Sequence, residues 1–498
     1  MLLICFLNMK KAVVIGAGIG GIATAIRLSR LGFKVHVYEQ SYMPGGKCTQ
    51  FEMEGYRFDK GPSLFTLPEV MKELFDLCGE EMSAHFEYDQ LDPICKYFYE
   101  DGLEFTSCSN LDEQVKNMAQ VFQEDENRVR DFFRDSKFIY ETTAPIFMHR
   151  PLQFKHQWRT KTFWNGIVRL PFLPLRGNLQ RQLKRYFKNE KTIQYFSRYA
   201  TYNGSSPYAT PAMMQLMPHV EHGIGAFIPK RGMFFIPYAL SKLAERNGVE
   251  FHYGMGVREI VLDKQKVSGI RLWNQSIIAA DLVVSNMDVH GTYKQLLPSV
   301  KAPEKWLNQE KSSSALIFYW GMNRTFDQLN VHNIFFARDY RLEFKCLFED
   351  KTLHEDLTVY IHITSKHIAA DAPQGGENWF VMVNAPCVSE QNWESLEQLA
   401  RRRIVSKLER MLCTSIEEHI VCERIWNPEG IQQDTSSHLG ALYGNASNSA
   451  YSAFQRHANV SQEIKNLYFV GGSVHPGGGV PLAMLSAKMV EQHLLAHE

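Results

Sequence analysis

The stretch PHVEH, residues 218–222, sets the carboxylate of Glu221 between the imidazoles of His219 and His222. Side chains of these types hold or accept protons near neutral pH, and a carboxylate can also stabilise positive charge that develops beside it. Arg231 follows nearby and adds a fixed cation. An ordinary hydrogen-bonded role at a domain junction is equally open to each of the four. No nucleophile–base–orienter triad stands out, and no His or Cys spacing of the HExxH kind, so no metal site is expected.

Glycine carries the second kind of chemistry. The β-branched run Lys11–Ile15 ends in GAGIGG, which supplies Gly16, Gly18, Gly20 and Gly21. Gly16 permits a tight turn, Gly18 lets the backbone approach a pyrophosphate, and Gly21 lets the following helix pack closely on the strand. The first N–H groups of that helix would face phosphate. Glu39 ends the next strand, KVHVYEQ, where it would accept hydrogen bonds from an adenosine ribose and disfavour a 2′-phosphate. Gly45, Gly46, Lys47 and then Gly61-Pro62 follow, a loop that would wrap backbone and a cation around an internally bound dinucleotide. Near the other end, NLYFVGG reads as a strand, and Gly472, Gly478, Gly479, Val480 and Pro481 lead into a helix with proline at its first turn. A glycine-rich segment that only turns the chain is the alternative at either end.

These residues need elements to position them. The 498 residues are 45% hydrophobic and 12% aromatic, enough to bury about two domains and inconsistent with a disordered chain. Formal charge is zero at pH 7, so the molecule as a whole has no electrostatic reason to bind nucleic acid. The nine cysteines are scattered without CxxC, as in a reduced, cytosolic protein. MLLICFLNMKK lacks a basic start and a small-residue cleavage site, so Met1 to Asn8 read as an extension before the first strand, with Met9 an alternative start. No apolar run has bilayer-spanning length.

SYMPGGKCTQFEMEGYRFDKGPSLF resembles the start of the phytoene desaturase-like branch of the flavin-containing amine oxidoreductases, the bacterial carotenoid desaturases. AFIPKRGMFFIPYALSKLAERNGVEFHYGMGVREI resembles the family's central Gly-Met loop, helix and strand. AADLVVSNMD resembles its strand and turn, VYIHITSKHIAADAPQGGENW its substrate-domain strand and loop, and NLYFVGGSVHPGGGVPLAMLSAKMV its C-terminal signature. ATYNGSSPYATPAMMQLMPHVEHGIGAF, residues 200–227, is more similar to hydroxycarotenoid 3,4-desaturases than to phytoene desaturases proper. Arg231 stands where that family commonly has glycine.

The resemblance implies non-covalent FAD. Gly16, Gly18, Gly21, Glu39, Gly45, Gly46 and Lys47 fall on its adenosine and pyrophosphate contacts, and Val257 falls on the residue whose backbone meets adenine. Gly472, Gly478, Gly479, Val480 and Pro481 fall on the loop beside the ribityl chain and isoalloxazine, where the following helix dipole would favour negative charge. The implied reaction removes two hydrogens from adjacent carbons of a long carotenoid, a hydride to flavin N5 and a proton to a nearby acceptor. Glu221 would stabilise the polyene cation or take the proton, and His219 or His222 could bind a terminal hydroxyl. The implied substrate is a 1-hydroxycarotenoid such as 1'-hydroxy-γ-carotene, desaturated at C3–C4. Phytoene or diapophytoene desaturase, carotenoid oxygenase, carotene isomerase and a flavin-bound scaffold remain alternatives. The expected reoxidant is oxygen or a quinone.

The expected architecture is α/β. A discontinuous Rossmann-like FAD-binding domain takes residues 9–75, 225–290 and 458–498. An inserted α+β substrate domain takes 76–224, largely helical, and 291–457, with SALIFYWGM, LTVYIHITS and WFVMVNAP as strands and SLEQLARRRIVSKLERML as an amphipathic helix. Between Arg150 and Lys191 lie eleven Lys or Arg residues and one acidic residue, interleaved with Phe154, Trp158, Phe163, Trp164, Ile167, Val168, Leu170, Phe172, Leu173 and Leu175. That composition suits a helical region lying on an anionic membrane, here the inner face of the cell membrane. A solvated basic face over core residues is the alternative.

Overall fold

The computed structural model describes residues 9–150, 161–449 and 456–497. Lys11–Ile15 is the central strand of a five-stranded parallel sheet in the order Leu467–Phe469, Leu282–Ser285, Lys11–Ile15, Lys34–Tyr38, Glu250–His252. Four of its five residues are buried, as expected of a β-branched strand covered on both faces. One face carries the helices Ile19–Arg30, Phe235–Arg246 and Val480–Leu495. The other carries an antiparallel meander, Val257–Asp263, Lys266–Leu272 and Ile277–Ala279.

The first and last helices pack on each other, and a charge cluster pins them. Arg27, buried in the first helix, reaches Glu491 in the last at 2.5 Å and Glu73 at 2.6 Å. Lys488 shares Glu73 at 2.7 Å. A buried guanidinium needs such partners, because an unpaired charge out of water is costly.

A second, seven-stranded sheet runs Ile420–Trp426, Ser314–Met322, Glu377–Ala385, Val359–Ile363, His332–Phe335, Cys95–Phe98, Glu104–Ser107. It is antiparallel except where His332–Phe335 meets Cys95–Phe98. All nine residues of Ser314–Met322 are buried, so that strand reads as an unbroken apolar run rather than an alternation. The segment expected to be largely helical does contain the helices Leu111–Phe122 and Glu126–Phe147, but it also contributes the last two strands of this sheet. The expected amphipathic helix runs Trp393–Leu412, with the Asn392 side chain accepting from Ser395 N–H at its start. Among the described residues every cysteine is a free thiol.

Candidate functional site

A cavity of about 750 Å³ lies between the two sheets. Its nucleotide-like half is walled by Gly16, Gly18, Gly20, Glu39, Gly45, Gly46, Lys47 and Val257, and Gly61, Pro62, Gly472, Gly478, Gly479, Val480 and Pro481 continue the wall. The C-terminal ends of parallel strands meet here, the usual ligand crevice of an open α/β sheet.

Local chemistry explains each turn. Gly16 adopts φ +93°, a left-handed value that favours glycine. Gly18 and Gly45 form a parallel bridge, so the two N-terminal glycine loops lie against each other. A Cβ on Gly46 would sit 3.4 Å from Gly18 Cα. Gly21 does not line the cavity; a Cβ there would stand 2.1 Å from Gly16 O, so its role is helix-on-strand packing. Glu39 is oriented by backbone, accepting from Ala17 N–H at 2.7 Å and Ser41 N–H at 2.8 Å. Lys47 is half-buried, donates to the carbonyls of Ala441 and Leu442, and is pushed down to about 8 by desolvation, which nearby Asp288 opposes. At the C-terminal loop, a Cβ on Gly478 would lie 2.7 Å from Tyr443 Cα.

The other half of the cavity runs onto the second sheet, where Ile94, Ile317, Ile334, Phe380 and Met382 form an apolar wall. Glu221 lines this half from a single wide π-type helical turn, His219–Ile224. Its carboxylate is 2% exposed and accepts from Arg198 at 2.6 Å, from Tyr199 at 2.7 Å and from Tyr202. Burial opposes its ionisation, but the Arg198 guanidinium and the tyrosine hydroxyls hold it down to about 2. Arg198 is in turn enclosed by the rings of Tyr97, Tyr195, Tyr199 and Tyr202, with ring centroids 4.2–5.9 Å away.

Three of the four residues proposed from sequence for chemistry stand outside the cavity wall. The His222 imidazole is buried against Tyr195 OH at 3.1 Å, and burial pushes it down to about 4, so it is neutral. His219 packs on Tyr140 with ring centroids 5.3 Å apart. Arg231 is exposed and lies over the Phe235 ring at 4.2 Å. Within the wide turn the cause is geometric: Glu221 faces the cavity, His222 the core, and His219 lies half-buried beside Tyr140. His475, near the C-terminal glycines, contacts the Arg150 carbonyl at 3.0 Å and orders the loop. Away from the cavity, His36, Glu250 and His252 bring ligand-type atoms within 4.8 Å of one another, with His36 Nδ1 hydrogen-bonded to His252 Nε2 at 3.1 Å.

Glycine turns packed at one end of a cavity, a carboxylate oriented by backbone N–H groups and an adjoining apolar wall form a pattern that is met in known proteins. A family model described as flavin containing amine oxidoreductase matches residues 19–494. This chain belongs to that family. A 1-hydroxycarotenoid 3,4-desaturase of Flavobacterium sp. (strain P99-3) is 46% identical to it over 481 residues, 97% of this chain and 98% of the relative. A 4,4'-diapolycopene oxygenase of Methylomonas sp is 31% identical over 98% of each chain. Among solved structures, an oxidoreductase from Methanosarcina mazei has a TM-score of 0.63 at 16% identity, covering 97% of this chain and 100% of its own, which bears on fold alone.

As a flavin amine oxidoreductase, the protein has residues that fit FAD. The Gly18 and Gly46 cradle would be narrowed by any Cβ, and the opening turns of the helices at Ile19 and Val480 present N–H groups without intrahelical partners. Sequence reasoning missed Asn286, whose side chain fills the space beside Gly16, Gly18, Gly20 and Gly471. Its signal is position, immediately after the parallel strand Leu282–Ser285. It also missed Arg198, Tyr202, Ser63, His332 and Tyr360, all of which line the cavity.

Proposed function

We propose that this protein is an FAD-dependent carotenoid desaturase that introduces the C3–C4 double bond of a 1-hydroxycarotenoid in carotenoid biosynthesis. The 46% identity to a 1-hydroxycarotenoid 3,4-desaturase, over nearly the full length of both chains, carries this reading. The continuity of the glycine-lined and apolar halves in one cavity supports it. FAD, when bound, supplies the two-electron oxidation.

The chain's own residues do the rest. Residues 9–75, 225–290 and 458–498 hold the dinucleotide, and 76–224 with 291–457 form the substrate side. The wall of Ile94, Ile317, Ile334, Phe380 and Met382 binds hydrocarbon by burial, at about 0.8 kcal/mol per CH₂. It also excludes water and fixes the reacting C–H bond. Glu221, ionised and already accepting three hydrogen bonds, is a weak base, so its role is to present negative charge and not to abstract the proton. Reoxidation falls to oxygen or a membrane quinone.

The test is anaerobic. Protein carrying FAD should lose its oxidised-flavin absorbance on adding a 1-hydroxycarotenoid in liposomes, and the product should lack two hydrogens. Bleaching with phytoene alone, or an oxygenated product in air, would select the desaturase or oxygenase alternatives. No bleaching with any carotenoid would reject the reading.

The insoluble substrate requires access to a bilayer, and in this reading the protein docks peripherally on the inner face of the cell membrane. Among the described residues no helix is long and apolar enough to cross one. The helix Lys161–Arg169 and the turns after it expose Trp164, Ile167, Val168, Leu170, Phe172 and Leu175, with Phe172 75% accessible. Arg169, Arg176, Arg181, Lys184 and Arg185 are exposed around them, charge suited to anionic headgroups. Leu173 is buried, and Phe154 and Trp158 lie outside the described residues. Replacing Trp164, Val168 and Phe172 together by Asp should reduce flotation with anionic liposomes about tenfold or more and leave flavin content unchanged. Equal flotation would reject docking through this face.

A further inference from the structure

We infer that Ser63 recognises the 1-hydroxyl of the substrate, with Tyr360 and His332 as the positioning residues behind it; the inference rests on the hydroxycarotenoid reading above. All three line the cavity, among the apolar side chains of Ile94, Ile334 and Phe380.

The direction of each hydrogen bond follows from counting protons. Tyr360 OH donates to Ser63 Oγ at 2.7 Å. A phenol has one proton, so the 2.7 Å contact between Tyr360 OH and His332 Nδ1 runs the other way, with Nδ1–H as the donor. That fixes the imidazole tautomer and leaves His332 Nε2 a bare acceptor, which agrees with its being buried without a hydrogen-bond partner. Burial holds His332 well below its ordinary range, so it stays neutral, and His362 stacks on it with ring centroids 4.6 Å apart. Having accepted from Tyr360, Ser63 keeps its own proton, and no described residue takes it. Two hydrogen bonds in series make this hydroxyl a stronger and better-oriented donor than a free serine.

Position argues for the same role. Ser63 directly follows Gly61-Pro62, where the chain leaves the dinucleotide half; a Cβ on Gly61 would stand 1.9 Å from Lys47 O. The hydroxyl oxygen on C1 is only three bonds from C3, so its anchor must lie close to the reacting carbons. The buried carboxylate on this wall, Glu221, already accepts from Arg198, Tyr199 and Tyr202 and has no proton to offer an alcohol oxygen. An alcohol oxygen would complete the Ser63 relay, whereas a hydrocarbon terminus would leave a donor unpaired in a dry site, and sites built this way reject the analogue that lacks the group.

The experiment compares kcat/KM for the 1-hydroxycarotenoid and its deoxy analogue, each in liposomes with the flavin-loaded protein. Wild type should favour the hydroxylated compound by about tenfold or more. Ser63→Ala should bring that ratio towards one, mainly through KM, and Ser63→Thr, which keeps the hydroxyl, should restore it. Tyr360→Phe should lower the ratio by removing the relay, again in KM more than in kcat, and flavin content reports whether each variant folds. A Ser63→Ala ratio equal to that of wild type, or a wild type without preference, would overturn the inference. Wild type that turns over neither compound would reject the desaturase reading itself, and this one with it.

Discussion

Gly21→Ala should purify with little FAD and a lowered Tm. The added Cβ would stand 2.1 Å from Gly16 O, a backbone atom that cannot rotate away, and 3.2 Å from Asn286 Cβ. The helix Ile19–Arg30 must then lift from its strand, which moves the turn at Gly16 and Gly18 together with the N–H groups at the helix start. Overpacking of this kind costs about 1–3 kcal/mol or more. Part of the Tm deficit should return with excess FAD, because a ligand that binds only the folded state stabilises it by mass action. Flavin stoichiometry and Tm equal to those of wild type would show that the helix does not need this contact to hold the turn.

Arg198→Met is expected to be destabilised by about 3–5 kcal/mol, the usual cost of removing one partner of a buried ion pair. The carboxylate left behind is 2% exposed and keeps the hydroxyls of Tyr199 and Tyr202 as partners, with the neutral His222 imidazole 3.5 Å away. The pH dependence carries a specific sign. In wild type the Glu221 carboxyl is held below its ordinary range, at about 2, so its contribution is fully present above about pH 4.5 and is lost as pH falls towards 2. Without Arg198, burial dominates and the folded-state value moves above the unfolded one. The variant should therefore become more stable as pH is lowered from 8 towards 5, where this group leaves wild type unchanged. Adding Glu221→Gln should recover part of the loss and abolish the slope. A single variant with wild-type Tm across that pH range would show that the pair is not energetically coupled.

What could be read from sequence depended on whether the requirement was local. Gly16 and Gly45 announce themselves because a left-handed turn is a property of one residue, and Glu39 because it ends a strand at a fixed distance from that turn. Ser314–Met322 and Glu377–Ala385 are legible as strands from their β-branched and aromatic content. Cys95–Phe98 is not: CKYF is four residues long, and besides its hairpin with Glu104–Ser107 it joins the second sheet by pairing with His332–Phe335, far along the chain. Glu221 can be noticed beside its histidines, but Arg198, which decides its charge, sits 23 residues upstream. The wide turn that separates Glu221 from His219 and His222 has no signature in PHVEH. Ser63, Tyr360 and His332 come from a loop and two strands brought together only by the second sheet.

The strand order of the parallel sheet sets the timetable of assembly on the ribosome. Leu467–Phe469 is its last strand to be synthesised, and Val480–Leu495 is the helix that packs on Ile19–Arg30. While the middle of the chain emerges, the opening strand and helix therefore wait with an apolar flank and with Arg27 lacking Glu491, one of its two partners. Residues 467–495 must be synthesised before the nascent protein can close, so a chain truncated before Leu467 should be a substrate for chaperones and proteases rather than a weakened enzyme.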